Sequence, residues 1–217
     1  MPVFAGVPMT KDIAALPTTR GGMPVPYATL YLTDDGKNQA DLVTTPQGLV
    51  MQCRCVFGVG RPKIGQPCLH RQRKAVAGRR CVICGRKMSP KAEAIFVGVD
   101  YNRVPGHDQE QITSIEPPAH LTCTAYSALT CPRLRSDPSQ VLLAITRRYT
   151  TFQMIVTGFV GKQKQVALLP LGTPARFGAL DCYVAVPDPA SLHLITLQDW
   201  MATGIPEQRL HQNSVAA

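Results

Sequence analysis

At 217 residues, with 45% hydrophobic and 17% charged side chains, the chain is long enough to bury a core and too apolar to stay disordered. Its 19 prolines and 17 glycines disfavour an architecture of long helices, and its apolar runs fall far short of the roughly 20 residues of a membrane-spanning helix. The formal charge of +9 is concentrated in one window: Leu42 to Ala92 holds eleven Lys and Arg and no Asp or Glu, so all 14 acidic residues lie elsewhere.

The N-terminal stretch MPVFAGVPMTKDIAALP has no basic region followed by an apolar one, so no secretory signal is expected. The expected location is the cytoplasm, where thiols stay reduced. Eight cysteines are then better explained by metal than by disulfides.

Three regions follow in chain order. Residues 1–41 hold a short helix candidate, KDIAALP, ended by Pro17, then the turn-rich TTRGGMPVP and a strand candidate, YATLYLTD (27–34). Residues 42–135 form a basic, cysteine-rich region. It continues through a strand, AIFVGVD, and a polar loop with His107 into EPPAHLTCTAYSALTCP. Residues 136–217 alternate strand candidates (QVLLAITRRY, TFQMIVTGF, QVALLPL, DCYVAVPD) with one helix candidate, SLHLITLQDWMATG, closed by Gly204 and Pro206. A border, if present, falls near Ser136–Gln140. The expected fold is α+β, with a zinc-stabilised, treble-clef-like centre and a strand-rich C-terminal region.

Cys81 and Cys84 are followed by Gly85, the pattern of a zinc knuckle in which a tight turn aims two thiolates at one ion. In PPAHLTC the two prolines suit a helix start, and His120 and Cys123, three apart, share a helix face. Together they give one Cys3His set, Cys81, Cys84, His120 and Cys123. A thioredoxin-like redox pair would need a βαβ context, which the sequence does not offer. Cys131, about 12 Å further along a helix, and Cys182 read as small buried hydrophobes.

Upstream, C-x-C followed by C-x-H proposes a second Cys3His set, Cys53, Cys55, Cys68 and His70. An ion shared with the knuckle, or free thiols on a strand, are the alternatives. Four protein ligands close a zinc site, which favours a structural role over a catalytic one, and the ion would supply folding energy that so polar a segment lacks.

The segments CVICGRKM, FVGVDYNRV and SIEPPAHLTCTAYSALTCPRL resemble a family of small, uncharacterised zinc-knuckle proteins of actinobacterial genomes and bacteriophages. IAALPTTRGGMPVPY and LITLQDWMATGIP are similar to that family's two ends. The resemblance implies the first metal site, with Tyr126, Cys131 and Pro132 also on shared positions, and a phage-type origin, hence a host cytoplasm. It carries no activity. Between about 45 and 75 the chain departs from the pattern, so the Cys53/Cys55/Cys68/His70 set looks like an addition to the common core.

Three functions compete. Knuckle-plus-helix architectures also host HNH-like nucleases, which need a histidine base near the first hairpin strand. Here Asp100, Tyr101 and Asn102 occupy that stretch, with only His107-Asp108 in the next loop, so no enzyme is expected. The favoured reading is nucleic-acid binding through a basic patch, Arg71, Arg73, Lys74, Arg79, Arg80, Arg86 and Lys87, flanking the metal sites. Phe57 is the only aromatic residue of the window, so backbone contacts are expected rather than base stacking. The alternative is a protein-interaction module for a host or phage protein, with edge strands and Tyr149, Phe152 and Phe159 as candidate contacts.

Overall fold

The computed structural model describes residues 3–4, 7–33, 40–46 and 48–204. Asp34, in the first strand candidate, and Pro206 lie outside them. The elements run β1 (Val3–Phe4), β2 (Val7–Pro8), α1 (Lys11–Ala14), β3 (Thr29–Leu32), β4 (Ala40–Thr45), β5 (Gly48–Cys53), β6 (Arg61–Pro67) and α2 (Leu69–Ala77). They continue with β7 (Ala94–Val97), β8 (Asp100–Asn102), β9 (Gln111–Thr113), α3 (Leu121–Thr130), α4 (Pro132–Ser136), β10 (Leu142–Thr146), β11 (Tyr149–Val160), β12 (Gln163–Pro170) and β13 (Ala175–Pro187). A 3-10 turn, Pro189–Ser191, then leads to β14 (His193–Thr196) and α5 (Leu197–Ala202). Helices and many strands are both present, with strand predominating, and no helix among the described residues is long and apolar enough to cross a membrane.

The largest sheet has the order β12-β11-β13-β5-β4 and is antiparallel except where β5 runs parallel to β13. A second sheet, β14-β10-β7, joins strands from both sides of Ser136–Gln140. The β5–β13 pairing also crosses that position, so no sheet boundary falls there.

Beyond Leu180, β5 no longer covers β13, and helix α2 takes its place through side chains. Arg73 Nη1 donates to Asp181 O at 2.6 Å. Gln72 accepts from Tyr183 N at 3.0 Å and donates to Tyr183 O at 2.6 Å. Ser114 then exchanges two backbone bonds with Ala185. Each of these backbone groups thus finds the partner that burial demands.

Two expectations are corrected here. SLHLITLQDWMATG is not one helix: Leu142 to Ile145 on β10 pair with His193 to Thr196, and the helix begins only after Thr196, whose side chain accepts from Asp199 N. The β-branched Ile195 and Thr196 favour that strand. The prolines of EPPAH also precede α3 rather than starting it. Pro118 O accepts from Val82 N, Ala119 bridges Ile95, and His120 is the extended N-cap. After Cys131, Pro132 opens the short α4.

Candidate metal centre

The first group of ligands comes from three elements locked together by backbone bonds. The knuckle closes with Gly85 N donating to Cys81 O and Cys81 N to Arg86 O, both at 2.9 Å, on a neck where Arg80 bridges Lys87. Gly85 sits at φ +71°, and a Cβ there would lie 2.7 Å from the Tyr27 ring. The Val82–Pro118 bond presses the knuckle onto the EPPAH segment, and the Ala119–Ile95 bridge fixes that segment to β7. His120 Nδ1 therefore lies 3.4 Å from Cys84 Sγ and 3.9 Å from Cys123 Sγ.

The ligand atoms of Cys81, Cys84, His120 and Cys123 all lie within 4.8 Å of one another, so the group can hold a metal ion. Two ligands of a tetrahedral zinc are about 3.5–3.8 Å apart, which these spacings approach. Burial opposes ionisation of Cys81. Hydrogen bonds from the Cys123 and Cys84 thiols and from backbone N–H groups outweigh it and hold Cys81 well below the ordinary thiol value. The same hydrogen bonds push the Cys123 thiol up, so Cys81 is the readier of the two to ionise and Cys123 the one that keeps its proton.

A second, separate group contains Cys53, Cys55 and Cys68, all buried and with sulfurs within 4.8 Å of one another; it too can hold a metal ion. Cys53 ends β5, Cys55 follows it, and Cys68 is the N-cap of α2. Cys53 and Cys55 sulfurs approach to 2.9 Å, closer than two thiolates on one ion, about 3.7 Å, so loading would part them.

His70 is not part of this group, which corrects the expected Cys3His set. It follows Cys68 by two residues on the helix, and such positions do not share a face, so its side chain is exposed. The two groups are separated by a run of aromatic contacts, Tyr27 to Phe57 at 5.6 Å and Phe57 to Tyr31 at 5.7 Å.

The basic patch is also rearranged. Arg71 and Arg73 are buried, Arg71 against Cys55 and Thr29 and Arg73 on the edge of β13, so neither is presented to a surface ligand. Arg86 is exposed but pairs with Asp12 at 3.2 Å. Arg80 donates to Gly85 O and steadies the knuckle turn, while Lys74 and Lys87 are exposed. Arg79 donates to Ala92 O and lies 5.5 Å over the Tyr149 ring.

Beside Arg79 lies a cleft of about 700 Å³ that sequence reasoning missed. Arg147, Arg148, His107, Tyr149 and Asp188 share its wall with Arg79. Asp188, its one acid, pairs with Arg148 at 2.8 Å, which leaves a positive excess. The signal was present as RR in QVLLAITRRY, where the turn between β10 and β11 exposes two cations. Asp100, His107 and Asp108 belong to neither metal-type group among the described residues.

The chain matches no known protein family, curated protein or solved structure.

Proposed function

We propose that the protein is a non-enzymatic, zinc-stabilised module that binds nucleic acid through phosphate contacts. In this reading zinc occupies both cysteine groups, the Cys81/Cys84/His120/Cys123 site is treble-clef-like, and the chain is of the zinc-knuckle family type found in phages and actinobacteria. It works in the cytoplasm, that of a host if phage-encoded. The observation that carries the reading is the cleft with three arginines and one paired acid, opening beside a knuckle neck that bears Arg80 and Lys87. Such an excess of fixed positive charge attracts polyanions by counterion release.

The contact set differs from the one read off the sequence. Lys74, Arg79, Arg80 and Lys87 remain candidates, Arg147 and Arg148 join them, and Arg71 and Arg73 support the fold instead. The test is retention of mixed duplex DNA and of structured RNA across a salt series. Binding that weakens steeply with salt is expected. Arg147→Gln and Arg148→Gln should each lower the slope of log K against log salt by about 0.9 if each contacts one phosphate. No retention at low salt removes the proposal.

A second reading rests on a different observation. At the far end of the large sheet Phe159, Val160 and Phe177 are exposed, Phe177 by 83%. A contiguous exposed apolar patch marks an interaction surface; in this reading these side chains contribute to one, and a host-protein partner docks there rather than in the basic cleft. Phe177→Ser would then abolish partner capture while leaving nucleic-acid retention unchanged.

A further inference from the structure

Arg71 is 5% exposed and makes no ion pair with a carboxylate among the described residues. Instead Nη1 donates to Cys55 O at 3.1 Å, and Nη2 donates to Thr29 O at 2.6 Å and to Cys55 Sγ at 3.2 Å. The rings of Tyr31 and Phe57 flank it at 5.8 and 5.5 Å. A buried cation is costly unless an opposite charge compensates it. The neighbouring group able to carry that charge is the thiol trio.

Charge counting then fixes the state of the trio. Three thiolates around a divalent ion carry a net charge of −1, which Arg71 balances to zero. Protonated thiols would leave Arg71 uncompensated, whereas a neutral fourth ligand such as water keeps the balance. Two further buried donors, Tyr31 Oη and Arg71 Nε, have no hydrogen-bond partner among the described residues, although both belong to side chains packed around the trio. Buried donors of this kind are nearly always satisfied, by protein or by a small bound molecule. Cys53 also contributes to the wall of a cavity of about 420 Å³, together with Gln66, Gln72, Glu116 and the Lys164–Asp181 ion pair.

We propose that Cys53, Cys55 and Cys68 hold one divalent, thiophilic metal ion in a three-sulfur centre, with Arg71 as its counter-charge and an exchangeable water as fourth ligand, displaceable by a small anion added in excess. The first site, with four protein ligands, is closed; the second is open in the manner of metal sites that keep a solvent position. The inference rests on the metal-binding part of the proposed function and not on nucleic-acid binding.

The test uses the full chain loaded with Co²⁺, with azide as the added ligand. Azide is expected to shift part of the visible spectrum. The shift should vanish in Cys68→Ser, which keeps the cobalt of the first site. His70→Ala should retain both ions. Arg71→Met should weaken retention of the second ion against a chelator by about 10–100-fold, the usual effect of losing an outer partner, and Arg71→Lys should recover part of it. Should Arg71→Met fail to fold, Tyr31→Phe, which keeps the ring, should still alter the azide response. Two ions with a spectrum indifferent to azide would overturn the open position while leaving the metal reading intact. Loss of an ion in His70→Ala, or a single ion in the unaltered chain, would overturn the proposed centre itself.

Discussion

Gly85 shows how much of the first site depends on one backbone position. At φ +71° it adopts a conformation that costs an L-residue about 1–2 kcal/mol, and any Cβ would also strike Tyr27 at 2.7 Å. Tyr27 has little room to retreat, since its ring packs on Phe57 and its N–H donates to Ile83 O. Gly85→Ala should therefore lower the melting temperature and speed zinc loss to a chelator; a variant that melts and holds zinc like the parent would refute this account. At this scale the sequence was a good guide to which cysteines come together and a poor guide to charge. Cysteine spacing carries its own geometry, so Cys81, Cys84 and Cys123 could be placed by counting. The fate of Arg71 and Arg73 depended on what α2 would pack against, and no local pattern encodes that.

At the scale of elements, the informative case is α2. The run HRQRK looks like a solvated basic stretch, yet its helix buries Arg71, Gln72, Arg73, Ala75 and Val76. Its place was not legible because the face it buries is polar, selected by the open backbone of β13 rather than by hydrophobicity. Gln72 is 2% exposed and supplies one acceptor and donor bonds to two carbonyls, Tyr183 O and Ile115 O. Removing it strands buried backbone groups, each at a cost of about 1–3 kcal/mol. Gln72→Leu should thus destabilise by about 2–4 kcal/mol in denaturant unfolding, although it adds apolar surface. A neutral outcome would mean that α2 is not what completes the strand edge. The strands β10 to β12 and the second half of β13, by contrast, followed from their β-branched alternation, and SLHLIT misled because its period suits either state.

Across the whole molecule, candidate metal ligands and core are not evenly distributed. Cys81 and Cys123 lie within the cluster that also holds Ile13, Ile95, Leu143 and Trp200, while Cys53, Cys55 and Cys68 form a cluster with Val25, Leu30 and Tyr31. Two other clusters, around Phe152 with Val184 and around Ile155 with Leu180, belong to the large sheet and contain no metal-ligand cysteine. Where burial alone is insufficient, the ion contributes folding energy directly. Chelation should then loosen the first two clusters before the sheet. Trp200, the only tryptophan, should lose its near-ultraviolet signal, and amides of Cys81–Met88 and α3 should exchange early while those of β11 and β13 stay protected. Cys123→Ala should reproduce the same pattern without chelator. Uniform exchange across the chain would mean that the sheet depends on the metals as fully as the knuckle does, through the Gln72 and Arg73 bonds that tie α2 to β13.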